Sequence, residues 1–398
     1  MLGLESVYWG ITIVTYPFVS GLVAGSFIVG SLSHVFGQKQ YEPLTKLSLL
    51  VTLTFLLLAP LGPLADARQP ERWWELFLRP HLPYSPLGLF TAILSAYIIV
   101  VLVEMYITYR VPNMMLAQHE TGWKAKLYRT LSLGSADVSE GRMAKDNSWL
   151  KALSVVGILL AFAFHGYVGF LFGSIKARPL WSNSLMMPLF IVSAIVSGIA
   201  LMVVLYTITY RYLSEKGYVD PNLLDGLMRL QMWMIFVDLF FDVVDILNSI
   251  PSAYANAAIS QGWHNIFIVG PLAWSYWFGQ IGLLVLGLIL TCVRMVRVSP
   301  LYASLTSLIV LISVFMMRYN TVIGGQLQPK VSQGLVSYST PLFGPESWQV
   351  IFGIFMLAIF ILTLLLTFLP WDDEGLAARL RQVKVQPVQT VSRSKALS

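Results

Sequence analysis

Apolar runs of about 20 residues recur along the whole chain and are separated by shorter polar segments. A helix needs about 20 apolar residues to cross the hydrocarbon core of a bilayer, so each run is long enough to span it. The pattern predicts an all-α, polytopic transmembrane helical bundle of nine spans, with two helical bundles. The predicted spans are residues 9–35, 43–64, 86–110, 149–173, 186–212, 226–250, 266–293, 299–318 and 348–370.

The composition supports a membrane protein and leaves little room for a soluble domain. Of the 398 residues, 56% are hydrophobic and 12% are charged, whereas soluble domains carry about 25% charged residues. We predict one membrane domain over residues 1–370 and a polar cytoplasmic tail over 371–398. The first run lacks a basic leader and many others follow it, so it is interpreted as a transmembrane helix and not a cleaved signal peptide.

Basic residues are divided unequally between the two sides that nine spans would create. Seven of the 26 Lys and Arg fall on the side of the amino terminus, and the other 19 fall on the opposite side. Cytoplasmic loops are enriched in Lys and Arg, so we predict an exoplasmic amino terminus and a cytoplasmic carboxyl terminus in the inner (cytoplasmic) membrane of the cell. This topology also explains the net charge of +6, which therefore does not indicate nucleic-acid binding.

The residues that usually hold redox cofactors are scarce. The single cysteine, Cys292, cannot supply the four thiolates that an iron–sulfur cluster typically needs. Of the five histidines, only His165 lies well inside an apolar run, so no pair of axial haem ligands is predicted. No metal site is predicted either, because the Asp and Glu positions form no ligand set.

A polar and aromatic segment, LADARQPERWWELFLRPHLPYSPLG at 64–88, connects the second and third spans. Trp73, Trp74 and Phe77 fit an interfacial turn, because aromatic rings settle at the headgroup level. That interpretation does not account for Asp66, which follows a helix end rich in proline and precedes Arg68. Asp66 is predicted either to border a site or to form a structural cap and salt bridge.

Candidate site residues lie in the outer halves of the first and fourth spans. Tyr16 precedes Pro17, which can open the helix locally, and Ser20 follows one turn later. His165 lies about 21 Å along the fourth span, on a face of small residues that admits another helix or a flat ring. Histidine exchanges protons near neutral pH. The alternative for Tyr16 is packing in a helix interface with its hydroxyl bonded to a carbonyl, and the alternative for His165 is a buried histidine bonded to a backbone carbonyl.

A stripe of polar residues runs along the sixth span. Gln231, Asp238, Asp242 and Asp245 are separated by 7, 4 and 3 positions, which places them on one helix face. An ionisable residue at the bilayer centre costs about 2.5–3.5 kcal/mol, so this face is predicted to contact protein or water. It is either a proton path or a polar seam, and Arg318 is a candidate partner.

Two further ionisable residues lie towards the cytoplasmic side. Glu104 falls in the inner third of the third span, and His34 falls near the inner end of the first. They indicate either a proton route from the cytoplasm or interfacial residues within reach of water.

Five segments resemble one family in collinear order along nearly the whole chain. They are YWGITIVTYPFVSGLVAGSFIVG at 8–30, DARQPERWWELFL at 66–78, SPLG at 85–88, HGYVGFLFGSIKARPLWSNSLMMPLF at 165–190 and MRYNTVIGGQLQPK at 317–330. They are similar to the NrfD/PsrC integral membrane subunits. The segment at 165–190 resembles HybB-type members, and the segment at 317–330 resembles HybB-like and DsrP-like members. Ala67 stands where the family commonly has glycine, and Gln69 intervenes before Pro70.

The resemblance implies a quinone oxidoreductase subunit of a respiratory complex that carries no haem or iron–sulfur cluster of its own. It implies menaquinone or ubiquinone as bound substrate, a ferredoxin-like subunit with four iron–sulfur clusters on the exoplasmic face, and a further catalytic or multihaem subunit. Proton translocation is a possible coupling. The residues expected to contact quinone are Tyr16, Ser20, Tyr84, His165 and Tyr167, with Tyr16, Asp66 and His165 in catalysis. Tyr84 and Ser85 are the candidates for the rim of the site. The residues expected at the docking surface are Arg68, Arg72, Trp73, Asn320 and Gln326, the last two in an outer loop over 319–347.

Two other function classes fit parts of the pattern. Intramembrane carboxylates and proline-broken helices also occur in secondary transporters and ion channels. A non-catalytic anchor for a soluble enzyme is the third class, although the polar stripe and the outer-half residues argue against it.

Overall fold

The computed structural model describes residues 6–67, 69–134, 137, 139–250, 256–330 and 334–384, and within these ranges the regular structure is helical. Nine long helices correspond in order to the nine predicted spans. They are α1 (Ile11–Phe36), α2 (Glu42–Leu58), α3 (Pro86–His119), α4 (Glu140–Gly173), α5 (Met186–Tyr212), α6 (Pro221–Ser249), α7 (Ser275–Cys292), α8 (Pro300–Leu327) and α9 (Trp348–Phe368). The prediction of a polytopic helical bundle is confirmed.

Eight of the nine long helices have the length and apolar composition of membrane spans. The exception is α6, whose 29 residues give a length of about 43 Å, enough to cross a bilayer. Its three inward carboxylates and two charged residues near its start make it more polar than its neighbours. Its buried face includes Gln231, Asp238 and Asp242.

The helices pack as two bundles around α1. The first bundle contains α1 to α4 and the second contains α5 to α8, while α9 packs against α1 and α2. The bundles meet where α1 crosses α5 at Gly25 and Gly198, whose backbones touch. A β-carbon at either position would overlap the other helix, so only glycine permits this close crossing.

The end of α8 differs from the prediction. Helix α8 continues to Leu327, so residues 319–327 are helical and the expected outer loop begins only after them. The composition of this segment, rich in glycine and amides, predicts a loop. Those residues instead allow close packing: Gly325 touches the indole of Trp181, and Gly324 touches the ring of Phe267.

The connections at the two ends of the bundle have different character. At the end that carries residues 59–85, which we call the Trp73 end, the short helices Leu61–Asp66 and Glu75–Leu78 lie beside the long helices. The opposite end, called the Arg110 end, holds the helix Gly122–Leu131 and a carboxyl-terminal helix, Asp373–Lys384. Part of the predicted polar tail is therefore a helix.

Ion pairs and apolar contacts attach the carboxyl-terminal helix to the bundle. Asp373 forms an ion pair with Lys46 of α2, and Ser214 donates a hydrogen bond to Asp372 at 2.7 Å. Leu376 packs with Leu116 and Tyr128. These contacts bring the start of the tail under the Arg110 end of the first bundle.

Candidate functional site

A large apolar cavity of about 820 Å³ lies at the Trp73 end, between the start of α3, the end of α2 and the 59–85 connection. The proline-rich break after α2 creates it, because the chain leaves the helix at Pro60 and turns back over the bundle. Its walls are mostly aliphatic and aromatic, and Arg72, Arg79 and Glu75 lie at its mouth. An apolar slot with a few polar groups is typical of small-molecule sites.

Tyr16 forms part of the inner wall of this cavity. Its side chain is 8% exposed, and no hydrogen bond to its hydroxyl occurs among the described residues. The ring packs edge-to-face against Phe90 at 5.6 Å, and Phe90 stacks on Phe164 at 5.4 Å. Tyr16 therefore presents an uncommitted hydroxyl among aromatic rings that fix its position.

The rim of the cavity is held by local hydrogen bonds. Arg72 donates two hydrogen bonds to the Glu75 carboxylate, each at 2.8 Å, and one to Gln69 at 2.9 Å. The hydrogen bonds from Arg72 lower the pKa of the Glu75 carboxyl from its ordinary value. Ser85 also lines the cavity and caps the start of α3, where its hydroxyl accepts a hydrogen bond from the Gly88 amide at 3.0 Å. The rim is thus a charged turn anchored beside an apolar slot.

His165 lies behind the cavity wall and contacts other polar side chains. It is buried, its Nδ1 is 3.1 Å from the Ser20 hydroxyl, and its Nε2 is 3.2 Å from Arg318. Its ring stacks on Phe190 at 5.7 Å. The face of small residues on α4 is filled by another helix, because Gly169 touches the backbone at Met186.

The contact with Arg318 favours one tautomer of His165. A guanidinium only donates hydrogen bonds, so the contact favours Nε2 as the acceptor and the proton on Nδ1. Nδ1 then donates to Ser20, whose hydroxyl donates to the Pro17 carbonyl at 3.3 Å. In this tautomer His165 links Arg318 and Ser20 in a hydrogen-bond chain that ends at Pro17, the residue that follows Tyr16.

Arg318 is fully buried at the junction of the two bundles. It donates to the Ser193 hydroxyl at 2.6 Å and to the Phe190 carbonyl at 3.3 Å, and its guanidinium lies 4.0 Å over the Phe190 ring. Among the described residues, no carboxylate lies within 4.0 Å of it. Asp238 and Asp242 act on it at longer range.

Three of the four residues of the polar stripe of α6 accept hydrogen bonds from amide or hydroxyl groups of neighbouring elements. Gln280 donates to Asp242 at 3.1 Å, Asn183 donates to Asp245 at 2.6 Å, and Ser307 donates to Gln231 at 3.0 Å. Asp242 and Asp245 also border a polar cavity of about 280 Å³ at the Trp73 end. The stripe thus forms a polar contact between helices.

A third cavity, of about 260 Å³, opens at the Arg110 end between the first four helices. His34, Thr108 and Asp146 line it. Glu104 lies one turn deeper on α3, is 2% exposed, and accepts a hydrogen bond from Ser154 at 2.7 Å. The two residues predicted for the cytoplasmic side therefore lie at and just beyond one chamber, which we call the His34 cavity.

The structure brings together only part of the predicted quinone site. Tyr16 lines the large cavity, and Tyr167 lies beside it, stacked on Phe90 with its hydroxyl donating to the Pro86 carbonyl at 3.0 Å. Ser20 and His165 are one contact behind the wall. Tyr84 is 91% exposed and does not line the cavity, whereas its neighbour Ser85 does.

The residues predicted for partner docking occupy two kinds of position. Arg72 and Trp73 lie at the rim, and Trp73 is half exposed. Asn320 and Gln326 are each 2% exposed, so a partner cannot reach their side chains in this conformation. Asn320 donates to Gln280 at 3.0 Å, and Gln326 binds the Tyr8 and Trp9 amides, both at 3.0 Å.

Arg68 and Asp66 complete the predicted set. Arg68 lies outside the described residues. Asp66 ends the short helix Leu61–Asp66 and is half-buried, and the adjacent Ala67 lines the large cavity.

Several cavity residues were not predicted from the sequence. Phe90, Thr91 and Leu94 line the cavity from the first turns of α3, and Leu57 lines it from α2. Only their position in the sequence could have indicated the three residues on α3, because they lie within three turns of the Ser85 cap. In an apolar helix, spacing alone does not identify the face that borders a cavity.

The comparison with known families decides the assignment. Residues 3–330 match the model of the family described as NrfD, polysulphide reductase. The chain belongs to the NrfD family. The segment that resembles this family at residues 66–78 includes the rim of the large cavity.

Three relatives extend this finding. The chain is 29% identical to a selenate reductase subunit of Mesobacillus selenatarsenatis over 81% of this chain and 74% of that protein. It is 26% identical to a putative dimethyl sulfoxide reductase membrane subunit of Halobacterium salinarum over 73% of this chain and 63% of that protein. It is 23% identical to the Hdr-like menaquinol oxidoreductase integral membrane subunit of Archaeoglobus fulgidus over 68% of this chain and 59% of that protein. This NrfD chain is thus similar to subunits of redox complexes.

Proposed function

We propose that the chain exchanges electrons between the quinone pool and an exoplasmic iron–sulfur subunit, as the membrane subunit of a respiratory complex. The observation that carries this proposal is the large cavity with Tyr16 in its wall. Its volume of about 820 Å³ suits a quinone ring with part of an isoprenoid tail. Family membership and the relatives with redox functions support the same interpretation.

The cavity offers what quinone chemistry needs at the ring. Oxidation of a quinol releases two electrons and two protons, and reduction of a quinone takes up the same number. Phe90 provides a flat surface for the ring, and the Tyr16 hydroxyl can donate a hydrogen bond to a quinone carbonyl. Asp66, whose neighbour Ala67 lines the cavity, is the proposed proton acceptor or donor.

In our proposal His165 does not contact the quinone and acts on the site only through hydrogen bonds. The directed chain from Arg318 through His165 to Ser20 fixes the α1 backbone next to Tyr16. We propose that His165 positions this part of α1, because its two ring nitrogens contact Ser20 and Arg318 and it does not line the cavity. The stripe of α6 is assigned to a polar seam because Gln231, Asp242 and Asp245 are bound to hydroxyl or amide groups of neighbouring elements.

The electron partner is proposed to dock at the Trp73 end. The positive-inside rule favours an exoplasmic location for this end, since the Arg110 end carries most of the basic residues. Arg72 and Trp73 stand at the cavity mouth there, where a partner would be closest to the quinone ring. The partner expected from the family resemblance is the four-cluster iron–sulfur protein, with a catalytic or multihaem subunit beyond it.

The proposal is tested with the complex purified through a tag on this chain. Quinone-dependent turnover is measured with reduced methyl viologen as electron donor, in wild type, Tyr16→Phe and Tyr84→Phe. Loss of one hydrogen bond is worth about 0.5–1.5 kcal/mol, so Tyr16→Phe should raise the KM for quinone by about two- to tenfold. The matched variant Tyr84→Phe should leave it unchanged. An equal change in the KM for quinone in the two variants would overturn the proposal. A purified complex that contains no iron and does not turn over quinone would also overturn it.

A further inference from the structure

We propose that the protons exchanged at the large cavity travel along α3 to and from the His34 cavity, through Glu104 and Tyr97. This inference rests on the proposed function and adds the side of the membrane that supplies the protons. The path is formed by Thr108, Glu104 and Tyr97, which we call the proton column.

The members of the proton column share one face of α3. Thr108 lines the His34 cavity, Glu104 lies one turn deeper, and Tyr97 lies two turns beyond Glu104. Another two turns lead to Phe90 in the wall of the large cavity. These spacings of four and seven keep the residues aligned, and the column covers about 16 Å from Thr108 to Tyr97.

Side-chain direction shortens the remaining distance to the large cavity. Long side chains in a helix lean towards its amino terminus, and α3 begins at Pro86 beside that cavity. The Tyr97 hydroxyl is therefore displaced towards Leu94, and the Glu104 carboxyl is displaced towards Tyr97. Leu94 itself borders the large cavity.

Each member of the column has a buried oxygen without a hydrogen-bond partner among the described residues. These atoms are Oγ1 of Thr108, Oε2 of Glu104 and the hydroxyl of Tyr97. Leaving such an atom unsatisfied costs about 1–3 kcal/mol, and native proteins usually satisfy it with ordered water. Three such atoms in a row on one helix face indicate a hydrated path between the two cavities.

The chemistry of these groups suits proton transfer. Hydroxyl and carboxyl groups can both donate and accept hydrogen bonds, so a proton can enter on one side and leave on the other. Among the described residues, no cation lies within 4.0 Å of Glu104. Its other oxygen binds the Ser154 hydroxyl, so no fixed charge holds the carboxyl in one protonation state.

The path has a consequence for energy conversion. When quinone is reduced, two electrons arrive from the exoplasmic partner and two protons arrive from the cytoplasm through the column. The products balance as quinol, and two positive charges have moved most of the way across the membrane. When quinol is oxidised, the same charges move in the opposite direction. Turnover at this site is therefore electrogenic without a separate pump.

The test uses the purified complex in proteoliposomes that contain a pH-sensitive dye. Reduced methyl viologen supplies electrons to partners that face outward, and a menaquinone analogue accepts them. The variants are Glu104→Gln, Tyr97→Phe and Glu104→Asp, and the control Glu140→Gln removes an exposed carboxyl at the start of α4. Quinone binding, measured by fluorescence quenching, is the readout that separates this inference from the proposed function.

Wild type should take up protons from the vesicle interior as quinone is reduced. Glu104→Gln and Tyr97→Phe should slow turnover by at least about tenfold with unchanged quinone affinity, since removal of a proton-transfer group typically costs about 10²–10⁴-fold. Glu104→Asp should restore part of the rate. Normal internal proton uptake in Glu104→Gln, or in Tyr97→Phe if the first variant does not fold, would overturn the path. Absence of quinone binding in wild type would instead overturn the proposed function.

Discussion

The two bundles bury polar residues in different ways. In the first bundle, Glu104 and Tyr97 keep oxygens without partners among the described residues and lie between two cavities. In the second, Asp242 is bound to Gln280, and Arg318 is bound to His165 and Ser193. We propose that protons move through the first arrangement, whereas the second joins helices through hydrogen bonds.

The second bundle also has buried polar atoms without a hydrogen-bond partner among the described residues. They include the Gln231 amide nitrogen, the Arg318 Nε and one oxygen of Asp238. An amide and a guanidinium donate but do not exchange protons at neutral pH, so they interrupt a proton path. A buried carboxylate therefore does not by itself indicate proton transfer; the neighbouring groups decide.

The largest effect is expected when the cation at the junction is removed. Arg318→Leu deletes the donor to His165, Ser193 and the Phe190 carbonyl, and it takes a nearby positive charge from Asp238 and Asp242. A buried charge without compensation costs about 3–5 kcal/mol. We expect much less folded protein than in wild type when samples are heated and the remaining folded fraction is measured by size-exclusion chromatography.

A double variant provides the control for this prediction. Arg318→Gln with Asp238→Asn removes one charge of each sign and should recover part of the stability that Arg318→Gln loses. Equal thermal stability of Arg318→Leu and wild type would show that this cation does not stabilise the second bundle.

The next effect concerns the link between the bundles. Glutamine can replace both hydrogen bonds of a neutral imidazole, since its oxygen accepts from Arg318 and its amide donates to Ser20. His165→Gln should therefore retain most turnover, whereas His165→Leu should lose about 1–3 kcal/mol of stability and much of the activity. If His165→Gln abolishes turnover while the fold persists, His165 carries protons and is not a positioning residue.

The nine spans could be predicted from the sequence, and so could the interest of Tyr16, which lines the cavity. Apolar length determines whether a segment crosses a bilayer, so the spans need no tertiary information. Tyr16 stands out because a proline follows it within a helix. The rotation of the 59–85 connection could not be predicted, and it decides that Ser85 and not Tyr84 lines the cavity.

Tertiary packing explains the predictions that differ from the structure. Residues 319–327 have the composition of a loop, yet they continue α8 because Trp181 and Phe267 cover their glycines. Arg318 is a candidate partner of the aspartates by sequence, but its contact with His165 depends on how two distant helices cross. Tyr97 carries no sequence signal, because a tyrosine in an apolar helix usually packs as a core residue.

A smaller effect is expected at Asp238. Asp238→Asn removes a carboxylate of the seam, so turnover and internal proton uptake should stay within about twofold of wild type, in contrast to Glu104→Gln. The comparison is made in the same proteoliposomes. A loss of proton uptake as large as that of Glu104→Gln would place the proton path in the second bundle and reverse the contrast between the two bundles.

The smallest change tests which end of the bundle faces outward. Trp74→Cys places a cysteine at an exposed position of the Trp73 end, and Trp123→Cys places one at an exposed position of the Arg110 end. In intact spheroplasts, an impermeant maleimide should label the first variant and spare the second, with little effect on stability because both rings are exposed. The background from the native Cys292 is removed with Cys292→Ala. The reverse labelling pattern would invert the proposed topology.

Photoaffinity labelling with an azido-menaquinone analogue tests the central claim most directly, because it locates the quinone within the chain. Membranes containing the complex are illuminated with and without excess unlabelled menaquinone, and the labelled peptides are identified by mass spectrometry. The account predicts labelling that is competed away and maps to residues 57–94 or to the peptide containing Tyr16. Competed labelling that maps instead to the polar cavity around Asp242 and Asp245 would contradict it.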